Sequence, residues 1–219
     1  MEPVSVVVPC HNQAHFVAEA IASIRAQDWP IREVVVVDDG STDESAAIAS
    51  GAGARVVSQD RRGAAAARNT GIRHTAGRLI AFLDADDLWP PGSLAARAIA
   101  LRDAGADMVF GRIEQRSHGA SFDDRAPFAL GRLAGALLLP RSSFELVGPF
   151  DESLMDAETI DWVARADEAK LRSVTVEDVV LIRRIHGANM MIQTTDGAKR
   201  RLAVLRAAIQ RRRRLVDHA

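Results

Sequence analysis

One stretch of the sequence decides the fold, and it reads Val34-Val35-Val36-Val37-Asp38-Asp39-Gly40-Ser41-Thr42-Asp43. Four consecutive valines are typical of a strand that is buried on both faces, as in a parallel sheet. The acidic and small residues that follow them favour a turn. The same order, an apolar run and then polar residues, recurs at Val4–Asn12 and at Leu79–Asp87. The sequence therefore predicts several buried strands, each of which ends in a polar loop.

Segments with helical periodicity lie between these strands. Apolar residues recur at helical spacing over Ala14–Gln27. We expect further helices over Asp43–Ala49, Gly63–Thr75 and Ser93–Ala104, the last with Ser93 as its N-cap, and a weak strand at Arg55–Ser58. Alternating strands and helices are typical of right-handed βαβ units. The predicted fold class is α/β, with a Rossmann-like, mixed and mostly parallel central sheet, helices on both faces and a C-terminal helix.

The second half of the chain is less regular. Strand patterns lie at Met108–Ile113 and Val174–Ile185, an apolar run at Leu133–Leu139, and helical patterns near Ser142–Val147 and over Asp156–Lys170, the last with Asp156 as N-cap. Polar Glu114–Arg132 contains glycines and a proline, so we expect a long surface excursion there. The tail, Ala198–Leu215, has the pattern of a basic amphipathic helix. Its arginines at 211–214 suit either anionic lipid or a partner, or a solvated helix face.

Composition excludes several classes of protein. The 219 residues carry 28 basic and 29 acidic side chains, a formal net charge of −1, so we expect no nucleic-acid partner. Cys10 is the only cysteine, which excludes internal disulfides and sites built from several thiolates, and we expect it to be a small buried hydrophobe. No cationic leader precedes Val4–Val8, and no apolar run approaches the roughly 20 residues of a membrane-spanning helix. We expect a cytoplasmic protein, with peripheral attachment at the inner membrane face as an option.

Two acidic clusters follow predicted strands, at Asp38–Asp43 and at Asp84–Asp87. Because the carboxyl ends of parallel strands share one edge of a sheet, we expect these carboxylates to lie close together. Asp38–Asp43 suits turns and helix N-caps as well as a ligand site. For Asp84, Asp86 and Asp87, like-charge repulsion favours a hard divalent cation, and oxygen ligands suit Mg²⁺ or Mn²⁺.

The motifs over about residues 3–190 resemble those of glycosyltransferase family 2, whose members have the GT-A fold. The matching segments are Val6–Asn12, Val36–Asp43, Gly63–Gly71, Phe82–Asp87, Val147–Glu152 and Arg184–Asn189. Each segment alone would be weak, but their shared order and spacing are specific. The resemblance implies a GT-A domain over residues 1–190, with a nucleotide-sugar-binding half (1–110) and an acceptor and catalytic half (111–190). Residues 191–219 would form the basic helical tail.

The resemblance also implies roles for individual residues. Asp39 would accept a hydrogen bond from the base, Arg68 would lie near the base or ribose, and Asp84 would contact the ribose. Pro9, His11 and Ala85 would complete the donor-binding wall. Asp86 would bind Mn²⁺ or Mg²⁺, and His186 would be a further metal ligand, which suits manganese better than magnesium. A structural role is the alternative for His186. Arg183 and Arg184 either help to hold the diphosphate or lie on a solvated edge.

The sequence departs from the family pattern at the start of the late helix. Relatives carry a Glu-Asp pair there, and its aspartate deprotonates the acceptor, but here Thr159 takes that position after Glu158. Threonine cannot serve as a general base. Three explanations are open. Glu158 takes the role of the aspartate, with help from Asp161, or the acceptor is acidic enough, as a thiol is, to need little help. In the third, the protein binds a nucleotide sugar without turning it over. We expect Trp162 in the core and Trp89, next to two prolines, to contact sugar.

The predicted activity is a metal-dependent, inverting transfer of a sugar from a nucleoside diphosphate donor to an unidentified acceptor. Uridine diphosphate sugars are the expected donors, on family frequency alone. The acceptor could be a glycan, lipid, peptide or small molecule, and the C-terminal helix offers a surface for a homodimer or partner protein. The alternative is a glycosyltransferase-like module that binds a nucleotide sugar and is catalytically impaired. A phosphotransferase is disfavoured because neither lysine of the chain, Lys170 or Lys199, falls in the loops at the sheet edge.

Overall fold

The four consecutive valines, Val34–Val37, lie inside a buried strand, as expected. In the computed structural model, the described residues are 1–117, 126–129, 132–154, 157–186, 202–204 and 206. Their strands are β1 (Val4–Cys10), β2 (Ile31–Asp39), β3 (Arg55–Gln59), β4 (Leu79–Phe82), β5 (Met108–Ser117), β6 (Ala126–Ala129), β7 (Leu138–Pro140) and β8 (Ser173–Ile185). Their helices are α1 (Val17–Arg25), α2 (Ser45–Gly51), α3 (Ala64–Arg73), α4 (Ser93–Ala104), α5 (Arg141–Val147) and α6 (Glu158–Glu168), with a short 3-10 helix at Ala134–Ala136.

These strands form one eight-stranded sheet in the order β3-β2-β1-β4-β7-β5-β6, and β8 pairs with β5. The strands β1 to β4 are mutually parallel, β7 is antiparallel to both β4 and β5, and β8 is parallel to β5. The mixed, mostly parallel sheet that the sequence predicts is therefore confirmed.

Helices cover both faces of the sheet. Successive side chains of a strand point to opposite faces, so neighbouring valines of β2 contact different helices. Val35 and Val37 pack with Ala67 of α3, whereas Val34 and Val36 belong to the large core that includes α1. The helix α3 approaches the sheet closely at Gly71, where a Cβ atom would lie 2.2 Å from a methyl carbon of Val7. The small residue is therefore required by packing rather than by backbone conformation.

The order of the sheet creates a crevice at the carboxyl end of β1. The chain leaves β1 for β2 on one side and later returns to β4 on the other side of β1. In open α/β sheets, ligands bind at such a topological switch point. The strand ends that meet there are Pro9-Cys10, Asp38-Asp39 and the segment that follows Phe82.

Several expectations about the elements were wrong in detail. The excursion predicted over Glu114–Arg132 is partly sheet, because β5 continues to Ser117 and pairs with β6. Gly92, in the left-handed conformation, is the N-cap of α4; Ser93 lies inside the helix and donates its hydroxyl to the carbonyl of Val180 at 2.7 Å. The late helix begins at Glu158 with Ala157 as its N-cap, and Asp156 lies outside the described residues.

The predicted C-terminal helix lies mostly outside the described residues, as does the 211–214 arginine run. Residues 202–204 and 206 are helical. Among the residues that the structure describes, no helix is both long and apolar enough to cross a membrane.

Candidate functional site

Asp39 is the last residue of β2, at the carboxyl end of the strand, and it is buried. Its Oδ1 accepts hydrogen bonds from the Gln59 side chain at 2.7 Å and from the Arg62 backbone at 2.8 Å, and its Oδ2 accepts one from the Gly63 backbone at 2.7 Å. His11 Nδ1 lies 2.9 Å from the Asp39 carbonyl oxygen. A carboxylate offers about four acceptor positions, so one position on Oδ2 has no partner among the described residues.

Arg68 of α3 is buried between the two halves of the chain. Its Nη2 donates to Asp84 at 2.5 Å and its Nη1 to Glu158, at the start of α6, at 2.6 Å. Burial by itself disfavours the charged guanidinium, but the two carboxylates outweigh this and raise the pKa of Arg68 above its ordinary value. Arg68 therefore ties the loop after β4 to the late helix, and the predicted donor-side arginine is also a partner of the candidate base.

Asp86 and His186 come together although they lie 100 residues apart in the chain. His186 Nε2 is 3.1 Å from Asp86 Oδ2, and the side chains of both residues are largely buried. The imidazole also stacks on the ring of Phe16, with ring centroids 4.5 Å apart. The structure thus juxtaposes the two metal ligands that the resemblance implies.

Two further carboxylates lie near Asp86, the buried Asp87 and the partly exposed Asp84. Burial, and then repulsion from Asp84, raise the pKa of Asp86; burial, and then repulsion from Asp86 and Asp84, raise the pKa of Asp87 well above its usual range. Hydrogen bonds oppose these effects, because Asp86 contacts His186 and Asp87 Oδ1 accepts the backbone N–H of Arg184 at 3.0 Å. A cation at this cluster would relieve the repulsion, since a nearby opposite charge favours the ionised carboxylate.

The geometry of Asp86 and His186 fits a divalent cation. Octahedral Mg²⁺ has ligands at about 2.0–2.1 Å, so two adjacent ligand atoms lie about 2.8–3.0 Å apart. Nε2 and Oδ2 are hydrogen-bonded at 3.1 Å, a similar separation, and a cation bound by both would replace this hydrogen bond. Within the described part of the chain, no three His, Cys, Asp or Glu side chains form a complete metal site. The two residues therefore suit a cation whose remaining ligands come from water and substrate phosphates.

The beginning of α6 lies beside Arg68, and the acidic side chains of its first turn are paired with arginines. Glu158 contacts Arg68, and Asp161 Oδ2 accepts from Arg165 Nε at 2.8 Å. Thr159 is buried, with its hydroxyl 3.4 Å from Glu158 Oε1. Trp162 is in the core, as expected, and its indole donates to the carbonyl of Gly148 at 2.9 Å.

The role expected of Trp89 was wrong, because this side chain is only 2% exposed. Its indole N–H donates to the carbonyl of Gly135 at 2.9 Å, and the guanidinium of Arg97 lies 4.5 Å from its ring centroid. The two prolines after Trp89 do not expose it; the residue instead turns inward and packs against α4. Trp89 therefore cannot stack on a sugar.

The remaining predicted donor contacts are divided by burial. Pro9 and Ala85 are buried, so they can offer only backbone atoms or a wall to a ligand, whereas His11 is partly exposed. Arg184 does not lie on a solvated edge, since it is 5% exposed and contacts Glu19 and the carbonyl of Asp86. Cys10 is buried as expected, and this burial raises the pKa of its thiol to about 12.

Sequence reasoning missed the contribution of α1 to this site. Phe16 contacts His186, and Glu19 pairs with Arg184 of β8. Phe16 is the N-cap of α1 and Glu19 lies in its first turn, and no local signal marks either as a neighbour of a metal site. The missing information is the position of β8 relative to α1, which depends on long-range packing.

Comparison of the sequence with known proteins identifies a family and relatives of the chain. Residues 5–153 match the family model described as Glycosyl transferase family 2. An uncharacterised glycosyltransferase of Rickettsia typhi is 31% identical over 91% of this chain and 68% of its own length.

Two solved structures share the fold. A mannosyltransferase from Pyrobaculum calidifontis, in complex with GDP-Man and Mn²⁺, superposes with a TM-score of 0.78 at 24% identity, over 95% of this chain and 64% of its own. TarS of Staphylococcus aureus (residues 1–349), in complex with UDP-GlcNAc, gives a TM-score of 0.75 at 20% identity, over 94% of this chain and 65% of its own. At these identities the likeness shows the fold alone. The chain is shorter than either structure that it matches.

Proposed function

The chain belongs to glycosyltransferase family 2, and we propose that it transfers a sugar from a nucleoside diphosphate donor to an acceptor. One set of contacts carries this proposal: Asp39 ends β2 at the switch point, Arg68 pairs with Asp84, and Asp86 lies 3.1 Å from His186, which are groups suited to a nucleotide and a cation. Fold alone would not carry the proposal, because one fold hosts many functions. The proposal therefore depends on the chemistry of these side chains.

The donor end of the crevice supports a nucleoside diphosphate sugar. The free acceptor position on Asp39 suits an N–H of a base, and the partly exposed carboxylate of Asp84 suits ribose hydroxyls. The structural relatives hold UDP-GlcNAc in one case and GDP-Man in the other. We propose a UDP-sugar as the first donor to test and a GDP-sugar as the second.

Asp86 and His186 would hold Mn²⁺ or Mg²⁺. The 3.1 Å spacing of their ligand atoms and the repulsion among Asp84, Asp86 and Asp87 support a cation there. Such a cation supplies electrostatic stabilisation to the departing nucleoside diphosphate. The mannosyltransferase of similar fold contains Mn²⁺.

Catalysis with inversion would require a base for the acceptor, and Glu158 is the first candidate. Its pairing with Arg68 at 2.6 Å opposes this role, because protonation of Glu158 would leave the buried guanidinium with one carboxylate fewer. Asp161, the second candidate, is held by Arg165 at 2.8 Å. An acceptor that ionises readily would need neither residue, and replacement of Glu158 by glutamine tests this directly.

The pairing of both candidate bases, together with Thr159, favours one other function: a module that binds a nucleotide sugar without transferring it. The two functions make the same prediction for donor binding. They differ in turnover, since only the enzyme releases a nucleoside diphosphate when donor, metal and acceptor are present.

The test combines binding and turnover. Thermal unfolding of the wild type is followed with UDP and with GDP, each with Mn²⁺ or with EDTA, and nucleoside diphosphate release is measured from the corresponding sugars. We expect a nucleotide-dependent rise in Tm that Mn²⁺ enlarges and that Asp86→Asn reduces to the EDTA value. Asp28→Asn, at an exposed aspartate outside the site, is the matched control. Absence of any nucleotide effect on the wild type would contradict both functions, and binding without release would favour the module.

A further inference from the structure

The two candidate metal ligands lie on segments that are joined first through the backbone. Leu88, just after the acidic loop, forms an isolated antiparallel bridge with Ile182 of β8, with N···O distances of 3.0 and 2.8 Å. The N–H of Arg184 also donates to Asp87 Oδ1 at 3.0 Å. These bonds align the acidic loop with the end of β8. They leave open how the side chains of Asp86 and His186 are oriented toward each other.

The side chain of Arg184 supplies the missing contacts. It is 5% exposed, donates to the backbone carbonyl of Asp86 and to the carboxylate of Glu19, and its guanidinium carbon lies 4.8 Å from the ring centroid of Phe16. Arg184 therefore connects the backbone of one metal ligand to the first turn of α1. A planar guanidinium suits this role because its donors point in several fixed directions.

Phe16, the N-cap of α1, completes the same cluster. Its ring stacks on the imidazole of His186, with ring centroids 4.5 Å apart and ring planes inclined by 26°. The same ring also lies near the guanidinium of Arg184. One aromatic ring thus fixes the imidazole and the arginine that holds the Asp86 carbonyl. Orientation by such outer contacts commonly governs the affinity of a metal site.

We infer that Arg184 is a positioning residue of the cation site: with Phe16 and Glu19 it holds Asp86 and His186 at the spacing of adjacent metal ligands. This inference depends on the proposed function, in which those two residues bind the cation. It assigns Arg184 no contact with the diphosphate, because its guanidinium is already bound to protein groups on both α1 and the acidic loop. The positioning acts through the Asp86 carbonyl and the Phe16 ring.

The test separates metal affinity from nucleotide affinity. Mn²⁺ is titrated by electron paramagnetic resonance into the wild type, Arg184→Gln, Arg184→Lys and Phe16→Leu, each with saturating UDP and again with saturating GDP. Nucleotide affinity is measured separately in EDTA. We expect Arg184→Gln to weaken Mn²⁺ binding by roughly 10- to 100-fold, as outer contacts of metal sites typically do, and to leave nucleotide affinity in EDTA unchanged. Phe16→Leu should weaken Mn²⁺ binding less, and Arg184→Lys should recover part of the loss.

Arg112→Gln is the matched control, since Arg112 forms an exposed ion pair with Glu177 away from the site. If Arg184→Gln lowers Tm but binds Mn²⁺ as the wild type does, Arg184 is merely structural and the inference is wrong. If it weakens nucleotide binding in EDTA, Arg184 contacts the diphosphate and the inference is also wrong. If the wild type binds no Mn²⁺ in a manner sensitive to Asp86→Asn, the cation site of the proposed function fails, and the inference fails with it.

Discussion

The ion pair between Arg68 and Glu158 should be among the most strongly coupled pairs in the protein. The exposed fractions of the two side chains are only 4% and 10%, and the nitrogen and oxygen lie 2.6 Å apart. At an effective dielectric constant of 20, unit charges about 4 Å apart interact by about 4 kcal/mol. Asp84 is a second carboxylate partner of Arg68, and because that carboxylate is 39% exposed, water screens this pair.

A double-mutant cycle measures this coupling. Arg68→Met should destabilise the fold by about 3–5 kcal/mol, because it leaves Glu158 buried without its counter-ion. Glu158→Gln should cost only about 1–2 kcal/mol, since the amide oxygen can still accept a hydrogen bond from Arg68. The double variant should be less destabilised than the sum, by about 2–3 kcal/mol. Urea unfolding at neutral pH, followed by circular dichroism, gives the four free energies of unfolding.

The pair Asp161–Arg165 provides the control cycle, because its arginine is 25% exposed and its ion pair is of the i,i+4 kind. Its coupling should stay below about 1 kcal/mol. A coupling under about 0.5 kcal/mol for Arg68 and Glu158, no larger than in the control, would refute the reasoning. The ion pair with Arg68 would then no longer oppose a role for Glu158 as the base.

Three further predictions concern the core. The pKa of the Cys10 thiol is raised to about 12, so the native protein should resist a thiol reagent at pH 9, whereas the protein in urea should react rapidly. Because the thiol ionises first in the unfolded chain, the free energy of unfolding should fall as pH rises from about 9 toward 12. Fast labelling of the native protein would contradict this prediction. Arg97 is fully buried, has no carboxylate partner among the described residues, and has a pKa lowered to about 9 by burial. Arg97→Met should therefore stabilise the protein by about 1–3 kcal/mol in urea unfolding despite the loss of its contact with Trp89, and a destabilised variant would contradict the prediction. Gly71→Ala should cost about 1–3 kcal/mol through its clash with Val7, and the double variant with Val7→Ala should recover at least half of that loss; if it recovers none, the clash is not the cause.

The sheet could be predicted because its strands carry their own signal. The valine-rich runs at Val4–Val8 and Val34–Val37 favour burial on both faces, and polar residues follow each run at the shared edge. The positions of Asp39 and Asp86 at one crevice follow from this topology. The resemblance added His186, and in the structure its imidazole lies 3.1 Å from the Asp86 carboxylate.

The parts that sequence could not give depend on contacts between distant segments. Trp89 follows the acidic loop and precedes two prolines, and nothing local indicates that Arg97 and the carbonyl of Gly135 draw it inward. The partnership of Glu158 with Arg68 joins residues 90 positions apart. The strand β6 lies within a polar segment whose composition favours a loop, and pairing with β5 overrides that preference.

The measurement that tests the central claim most directly is the anomalous diffraction of manganese in crystals of the protein grown with UDP and Mn²⁺, and again with GDP. We expect one strong peak between Asp86 Oδ2 and His186 Nε2, in contact with both phosphates of a nucleotide whose base lies at Asp39. A nucleotide bound away from the ends of β1, β2 and β4, or a nucleotide in the crevice with no manganese at Asp86, would contradict the account.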